Sequence, residues 1–189
     1  MSFTVEENCL MKIIAKLELL LIAMWLGAAC FFSFATAPSA FVVLPTTDLA
    51  GNLVNRTLMI LNVSGLIIGL LVLVTSFIPR NYGGAFWAWA RRFFLFLMVV
   101  GCGGGQFVVG YWIALLRLQI GKPVDQLAAT DPMKIRFDQL HQASVWVLMA
   151  AMAAALIAYF FISKRESEKK VEKVDPDFDF TKDLRDLQI

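Results

Sequence analysis

The stretch TLMILNVSGLIIGLLVLVTSFI, residues 57–78, contains no charged side chain and decides the fold class. A helix needs about 20 apolar residues to cross the hydrocarbon core of a bilayer. Three further stretches without charge are long enough: Leu19 to Ala37, Phe93 to Leu116 and Ala143 to Ile162. Because lipid offers no partners for backbone N–H and C=O groups, each stretch must be helical. We therefore predict an all-α integral membrane protein, a bundle of four transmembrane helices.

The composition points the same way. Hydrophobic residues make up 59% of the 189 residues and charged residues 17%, whereas charged residues are about a quarter of a soluble domain. The net charge is only +2, and the basic residues lie beside apolar stretches, so nothing supports nucleic-acid binding. Cys9, Cys30 and Cys102 have no repeating spacing, and we expect no disulfide framework. The first apolar stretch is longer than that of a signal peptide, so we expect it to be retained.

Lysine and arginine are distributed unequally about the four stretches, and these residues are retained on the cytoplasmic side. Ten lie in the N-terminal segment, in the turn after span two and in the segment just past span four: Lys12, Lys16, Arg80, Arg91, Arg92, Lys164, Arg165, Lys169, Lys170 and Lys173. Five lie on the opposite side: Arg56, Arg117, Lys122, Lys134 and Arg136. We therefore predict that both termini are cytoplasmic. The predicted parts are an N-terminal segment 1–16, spans at about 17–44, 57–78, 93–118 and 132–165, and a tail 166–189.

The connections and helix ends carry their own signals. Trp87 and Trp89, between spans two and three, suit a membrane interface. Asp131-Pro132 is typical of an N-cap followed by proline at the first helical position, so we expect the last helix to begin before its apolar part. Pro38 lacks a backbone N–H and should kink or end span one.

Glycines are concentrated in spans two and three. Gly65 with Gly69, and Gly101 with Gly105, form GxxxG pairs that let helix backbones approach closely. Such pairs are compatible with packing inside the bundle and also with homodimerisation or partner docking. Four of the five residues 101–105 are glycine, the exception being Cys102, and this glycine run should weaken the helix and favour a bend. We expect another helix or a ligand to lie against it.

A polar cluster is predicted at the outer ends of the spans. The single histidine, His141, lies three residues before Ser144 on one helix face, and Asp48, Arg56, Arg117 and Asp138 belong to the same side. One interpretation is a polar mouth in which His141 changes charge near neutral pH; the other is a capping network that holds helix ends together. A single histidine excludes a bis-histidine haem or a His-rich zinc site within one chain.

Other polar and sulfur-containing residues lie at membrane depth. Cys30 and Cys102 are at similar depths near the middle of spans one and three, and Met24 and Met98 lie about one to two turns nearer the cytoplasm. Thiolate and thioether ligands favour Cu(I), although the same residues commonly fill apolar cores, and we assign no metal site. Four polar residues should hydrogen-bond across the bundle: Asn62, Ser64, Thr75 and Gln106. Gln106 is also a candidate for lining a pathway, and Glu18 should extend from the inner rim into water.

The chain resembles the transmembrane protein 205-like family, whose four-span domain is a domain of unknown function (DUF4149). The resemblance rests on motifs in span one and at the start of span four: Trp25-Leu26-Gly27, Phe31-Phe32-Ser33-Phe34, Ala37-Pro38, Phe41, Leu44-Pro45, Ala50-Gly51 and the segment from Phe137 to Ser144 that contains an LHxxS signature. It extends over about Leu19 to Ala158, and Leu148 stands where members of the family often carry asparagine. It implies a four-helix membrane protein of undefined biochemical activity.

Two classes of function remain. No carboxylate pair, nucleophile–base spacing or phosphate loop is evident, so the sequence favours a non-enzymatic accessory subunit without a cofactor. Such a subunit would contact the lipid bilayer and other membrane protein subunits, or further copies of itself. The alternative is a small oligomeric transporter or soft-metal handler. A membrane oxidoreductase would require cofactors shared with a partner chain.

Overall fold

The computed structural model describes residues 3–78, 85–128 and 130–172 and contains no strand among them. Its helices are α1 (Phe3–Phe31), α2 (Ala37–Val43), α3 (Thr47–Thr75), α4 (Ala85–Gly104), α5 (Tyr111–Ile120) and α6 (Pro132–Glu172). One π-helical turn, Phe32–Thr36, joins α1 to α2, and another, Gly105–Gly110, joins α4 to α5. The connection 79–84 and the tail from residue 173 onwards lie outside the described residues.

Four helical segments are long and apolar enough to cross a membrane, as predicted. They are span one (Ile13–Val43), span two (Thr47–Thr75), span three (Ala85–Ile120) and span four (Pro132–Ser163). The chain is therefore an all-α, multi-pass integral membrane protein. We call the end of the bundle where span three begins the near end, and the end where span four begins the far end.

The spans form a ring in which each packs mainly against two neighbours. Span one packs against spans two and four, and span three packs against the same two. The most extensive pairings join α4 to α6 and α4 to α3. On α6, several of the residues that enter the core are small, including Ala151, Ala155 and Ala158, which are all buried. Small side chains let helix backbones approach closely, which explains the tight pairing with α4.

Span one continues through Pro38 and ends later. The backbone N–H of Ala37 donates to the carbonyl of Phe32, five residues earlier, so a π-helical turn lies immediately before the proline. The helix then continues to Val43 and ends before Pro45. The prediction that Pro38 would kink or end the helix is therefore wrong about an ending, because widening the preceding turn accommodates the missing N–H.

The far-end helix termini are capped by side chains and by glycine. The Met133 N–H donates to Asp131 Oδ1 at 2.8 Å, and α6 begins at Pro132, which confirms the predicted cap. The Leu49 N–H donates to Thr46 Oγ1 at 3.3 Å at the start of α3. Gly121 ends α5 with φ 65°, a left-handed conformation that glycine adopts without steric cost. These caps fix the chain where spans two, three and four surround a cavity.

Candidate functional site

A cavity of about 610 Å³ lies in the far half of the bundle, between spans two, three and four, and we call it the far-end cavity. Its lining combines charged, neutral polar and apolar side chains: Phe41, Thr47, Asp48, Gly51, Val54, Asn55, Leu58, Met59, Asn62, Gly105, Gln106, Phe107, Gly110, Tyr111, Ile113, Ala114, Arg117, Val124, Lys134, Phe137, Asp138, His141 and Ser144. Its size is typical of sites that bind small organic molecules.

Most residues of the predicted polar cluster line this cavity, and one does not. Asp48, Arg117, His141 and Ser144 line it, together with Asp138. Arg56 is exposed and is not among the lining residues. Consecutive residues of a helix point about 100° apart, so Asn55 faces the cavity and Arg56 faces away from it. His141 is exposed at the wall, whereas Ser144, one turn further into the membrane, is buried.

Asn52 joins two of the charged residues at the mouth. Its amide nitrogen donates to Asp48 Oδ2 at 3.4 Å, and its carbonyl oxygen accepts from the Arg117 guanidinium. The guanidinium carbon of Arg117 also lies 5.4 Å from the centre of the Phe137 ring. The mouth thus joins the start of span two, the end of span three and the start of span four. These contacts agree with the capping interpretation and leave the cavity below them open.

Neutral polar side chains form the floor of the far-end cavity. Asn62 is 5% exposed and Ser144 is 7% exposed, and neither side chain makes a hydrogen bond within the described part of the chain. A Cβ on Gly105 would lie 3.3 Å from Asn62 Nδ2, so this glycine lets span three approach the asparagine. The π-helical turn that starts there directs Gln106 and Phe107 to the lining.

A second polar feature, at the near end, was not predicted. Arg91 Nη2 donates to Glu18 Oε2 at 3.0 Å, and the two side chains are only 5% and 4% exposed. The expectation that Glu18 would extend into water is therefore wrong. The signal was in the sequence: spans one and three run in the same direction, and Glu18 and Arg91 lie five and six residues after their first residues, Ile13 and Ala85. Charge pairing across the bundle keeps both in the protein interior.

The predicted glycine pairs face other helices of the same chain. A Cβ on Gly65 would lie 2.5 Å from Trp25 Nε1, and one on Gly69 would lie 2.8 Å from Val99 Cγ2. A Cβ on Gly101 would lie 3.0 Å from the Cβ of Ala151. Another helix therefore lies against the glycine run, and Gly105 additionally lines the cavity.

The sulfur-containing residues do not share one environment. Met98 and Cys102 are fully buried on α4, where they lie next to Gly69 and Gly65. Cys30 is half-buried. Met24 is 63% exposed on the outward face of span one, so it does not join the two residues on α4. Among the described residues, no group of three or more His, Cys, Asp or Glu side chains is placed to hold a metal ion.

The sequence matches the family described as "Domain of unknown function (DUF4149)" over residues 20–122. The matched region begins in α1 and ends just after α5, so it contains spans two and three entirely and most of span one. No curated protein and no solved structure matches the chain.

Proposed function

The chain belongs to the DUF4149 family, and we propose that this member is a non-enzymatic accessory subunit that packs against the transmembrane helices of other membrane proteins. Both termini are cytoplasmic in this proposal, as the distribution of lysine and arginine favours. The chain supplies four apolar helices and contacts the lipid bilayer on its outward faces.

The outward face of span one is the observation that supports this proposal. Ala23 and Gly27 lie four residues apart on that face, and both are exposed. A Cβ on Gly27 would meet no atom within 4 Å. Leu20 and Met24 flank these small residues and are 53% and 63% exposed. In lipid, small residues at this spacing let a second helix approach closely enough for van der Waals packing to hold it.

The predicted GxxxG pairs are not available for this role. Gly65, Gly69 and Gly101 each contact a neighbouring helix of the same bundle. A docking surface made of small residues must therefore lie elsewhere on the chain, and Gly27 has open space around it.

Replacing Gly27 by leucine tests the proposal. The new side chain meets nothing within the bundle, so the fold should persist, while close approach of another helix is blocked. We expect the amount of co-purifying membrane protein, or of a second copy of the chain, to fall at least about tenfold. The measurement is quantitative mass spectrometry and native electrophoresis after extraction in mild detergent.

Gly104→Leu is the matched control, because a Cβ at Gly104 also meets no atom within 4 Å but lies on span three. It should retain the partner. The proposal is wrong if the wild-type chain is extracted only as a lone monomer, or if both variants lose the partner equally.

A small transporter is the second candidate, and the far-end cavity is the observation that favours it, since the cavity reaches the buried side chains of Asn62 and Ser144. Transport also requires access from the near end, and the path from there is filled at the middle of the bundle, where Trp25 and Cys102 pack beside Gly65. A cysteine at position 144 that reacted with a membrane-impermeant maleimide from both sides of the membrane would favour transport over the subunit role.

A further inference from the structure

We propose that the far-end cavity binds an uncharged amphiphile from the surrounding bilayer, a molecule with a hydroxyl, carbonyl or amide group at one end and an apolar body. The polar end would lie at the floor against Asn62 and Ser144. This inference uses none of the observations on span one, so it stands or falls separately from the accessory role.

The floor of the cavity offers hydrogen-bonding groups to an occupant. Asn62 and Ser144 are each more than nine-tenths buried, line the cavity and have no hydrogen bond within the described residues. Neither belongs to the buried polar groups that are sealed off without a partner. A molecule in the cavity therefore reaches both groups, and polar groups at this depth are stabilised by hydrogen bonds to it. Both groups can donate and accept, so a hydroxyl, carbonyl or amide of a ligand satisfies them.

The charges of the lining argue against a charged ligand. With His141 counted as neutral, two carboxylates, Asp48 and Asp138, are balanced by two cations, Arg117 and Lys134, giving a formal sum of zero. The lining therefore attracts neither net anions nor net cations from a distance. The side chains at the floor, Asn62, Gln106 and Ser144, carry no charge at all. An ionised group brought to that depth would have no counter-charge beside it.

The walls and the edge of the cavity indicate where the ligand comes from. Between the mouth and the floor, Val54, Leu58 and Ile113 present apolar surface. Two other lining residues are also exposed on the outside of the bundle, Met59 at 52% and Phe107 at 66%. From Thr47 to Asn62 the cavity follows α3 for roughly 22 Å, at about 1.5 Å per residue. A bilayer molecule can thus extend its apolar body along these walls.

The test uses the full chain in phosphatidylcholine nanodiscs and three photoreactive probes. The probes share one chain length and one diazirine position, and they end in a hydroxyl, a carboxylate or a trimethylammonium group. We expect the hydroxyl probe to label cavity-lining positions such as Val54 and Ile113, as mapped by peptide mass spectrometry. The labelling should saturate and should be displaced by the unlabelled alcohol, and the charged probes should label these positions several-fold less.

Two substitutions at the floor test the assignment of the polar end. Asn62→Leu and Ser144→Ala each remove one buried hydrogen-bonding group, so each should weaken saturable labelling by the hydroxyl probe about fivefold. Ser64→Ala is the matched control, because the Ser64 hydroxyl donates to the Leu61 carbonyl at 2.9 Å and does not line the cavity. Its labelling should equal that of the wild type.

Several results would overturn the proposal. One is equal labelling by all three probes. Another is labelling confined to lipid-facing positions such as Ile60 and Ile67, which are exposed and outside the cavity. A third is hydroxyl-probe labelling that both floor variants leave unchanged. Because two variants of different size probe the same floor, a folding defect in one of them leaves the other to decide the outcome.

Discussion

At the scale of single residues, the Glu18–Arg91 pair is the most demanding interaction in the bundle. Both side chains are almost completely buried, and the donor–acceptor distance is 3.0 Å. Taking two charges out of water is costly, and their attraction offsets that cost only while both partners are present. The pair therefore contributes more to the arrangement of spans one and three than to net stability.

Arg91→Met should destabilise the protein strongly, because it removes the buried guanidinium that donates to Glu18 Oε2 at 3.0 Å. We expect a loss of about 3–5 kcal/mol in the free energy of unfolding. The double variant Glu18→Leu/Arg91→Met removes both charges and should recover most of that loss. SDS-induced unfolding of the purified chain in detergent micelles, analysed as a double-mutant cycle, provides the measurement.

Arg92→Met serves as the comparison for this cycle. Arg92 is half-buried, donates to the carbonyl of Ser76 at 3.0 Å and lies 4.7 Å from the centre of the Phe77 ring. Because it faces no buried carboxylate, its replacement should cost less than that of Arg91. Equal losses for the two arginine variants would show that the ion pair has no special role.

Sequence reasoning found some residues of the candidate site and missed others for an identifiable reason. His141 and Ser144 could be paired because their spacing along one helix fixes their common face. The sequence placed Asn62 and Gln106 at membrane depth, but it could not show that both side chains line the floor of the same cavity. Their convergence depends on which face each apolar helix turns inward, and uniformly apolar spans carry little information about that.

At the scale of helices, Gly65 controls how spans one, two and three meet. The Trp25 indole N–H donates to the Leu61 carbonyl at 2.9 Å, and it does so across the surface of this glycine. A Cβ at Gly65 would lie 2.7 Å from Cys102 Sγ as well as 2.5 Å from Trp25 Nε1. A side chain at this position therefore collides with both neighbouring spans.

Gly65→Ala should destabilise the protein by about 1–3 kcal/mol through this overpacking. It should also shift the fluorescence of Trp25, since the indole has to move. Gly103→Ala is the control in the adjacent span, because its Cβ would meet Leu66 Cδ1 at an ordinary 3.6 Å. The control should be neutral or slightly stabilising, because alanine has a higher helix propensity than glycine. Similar losses for both variants would contradict the assigned role of Gly65.

The irregular turns of the spans were predicted in position but not in form. Pro38 and the glycine run mark the two places where the regular helix changes, and π-helical turns lie next to both. The sequence could indicate where an α-helical hydrogen bond is missing or weak. It could not indicate that the chain responds by widening a turn, because that choice depends on the packing of neighbouring spans.

At the scale of the whole molecule, the number of spans was predictable because each long uncharged stretch favours the hydrocarbon core of a bilayer over water. Four crossings within the described residues put the start of span one and the end of span four on the same side of the membrane. The excess of lysine and arginine beside these ends favours the cytoplasmic side, which is the orientation we propose.

The orientation can be tested with a cysteine-free variant that carries single new cysteines. We expect Lys122→Cys, in the far-end connection, to react with a membrane-impermeant maleimide in intact cells. Ser167→Cys, beyond the last span, should react only after the membrane is permeabilised. The opposite pattern would reverse the proposed orientation. Reaction of both positions from the same side would contradict the four-span topology itself.

Helix α6 has a geometric consequence that concerns the water beyond the membrane. It continues without interruption for 41 residues, from Pro132 to Glu172, whereas span four ends at Ser163. At about 1.5 Å per residue, the remaining turns raise the helix terminus roughly 13 Å beyond that span. Glu172 is thus displaced along the helix axis from the last residue of span four, at the tip of a rod that is continuous with the bundle.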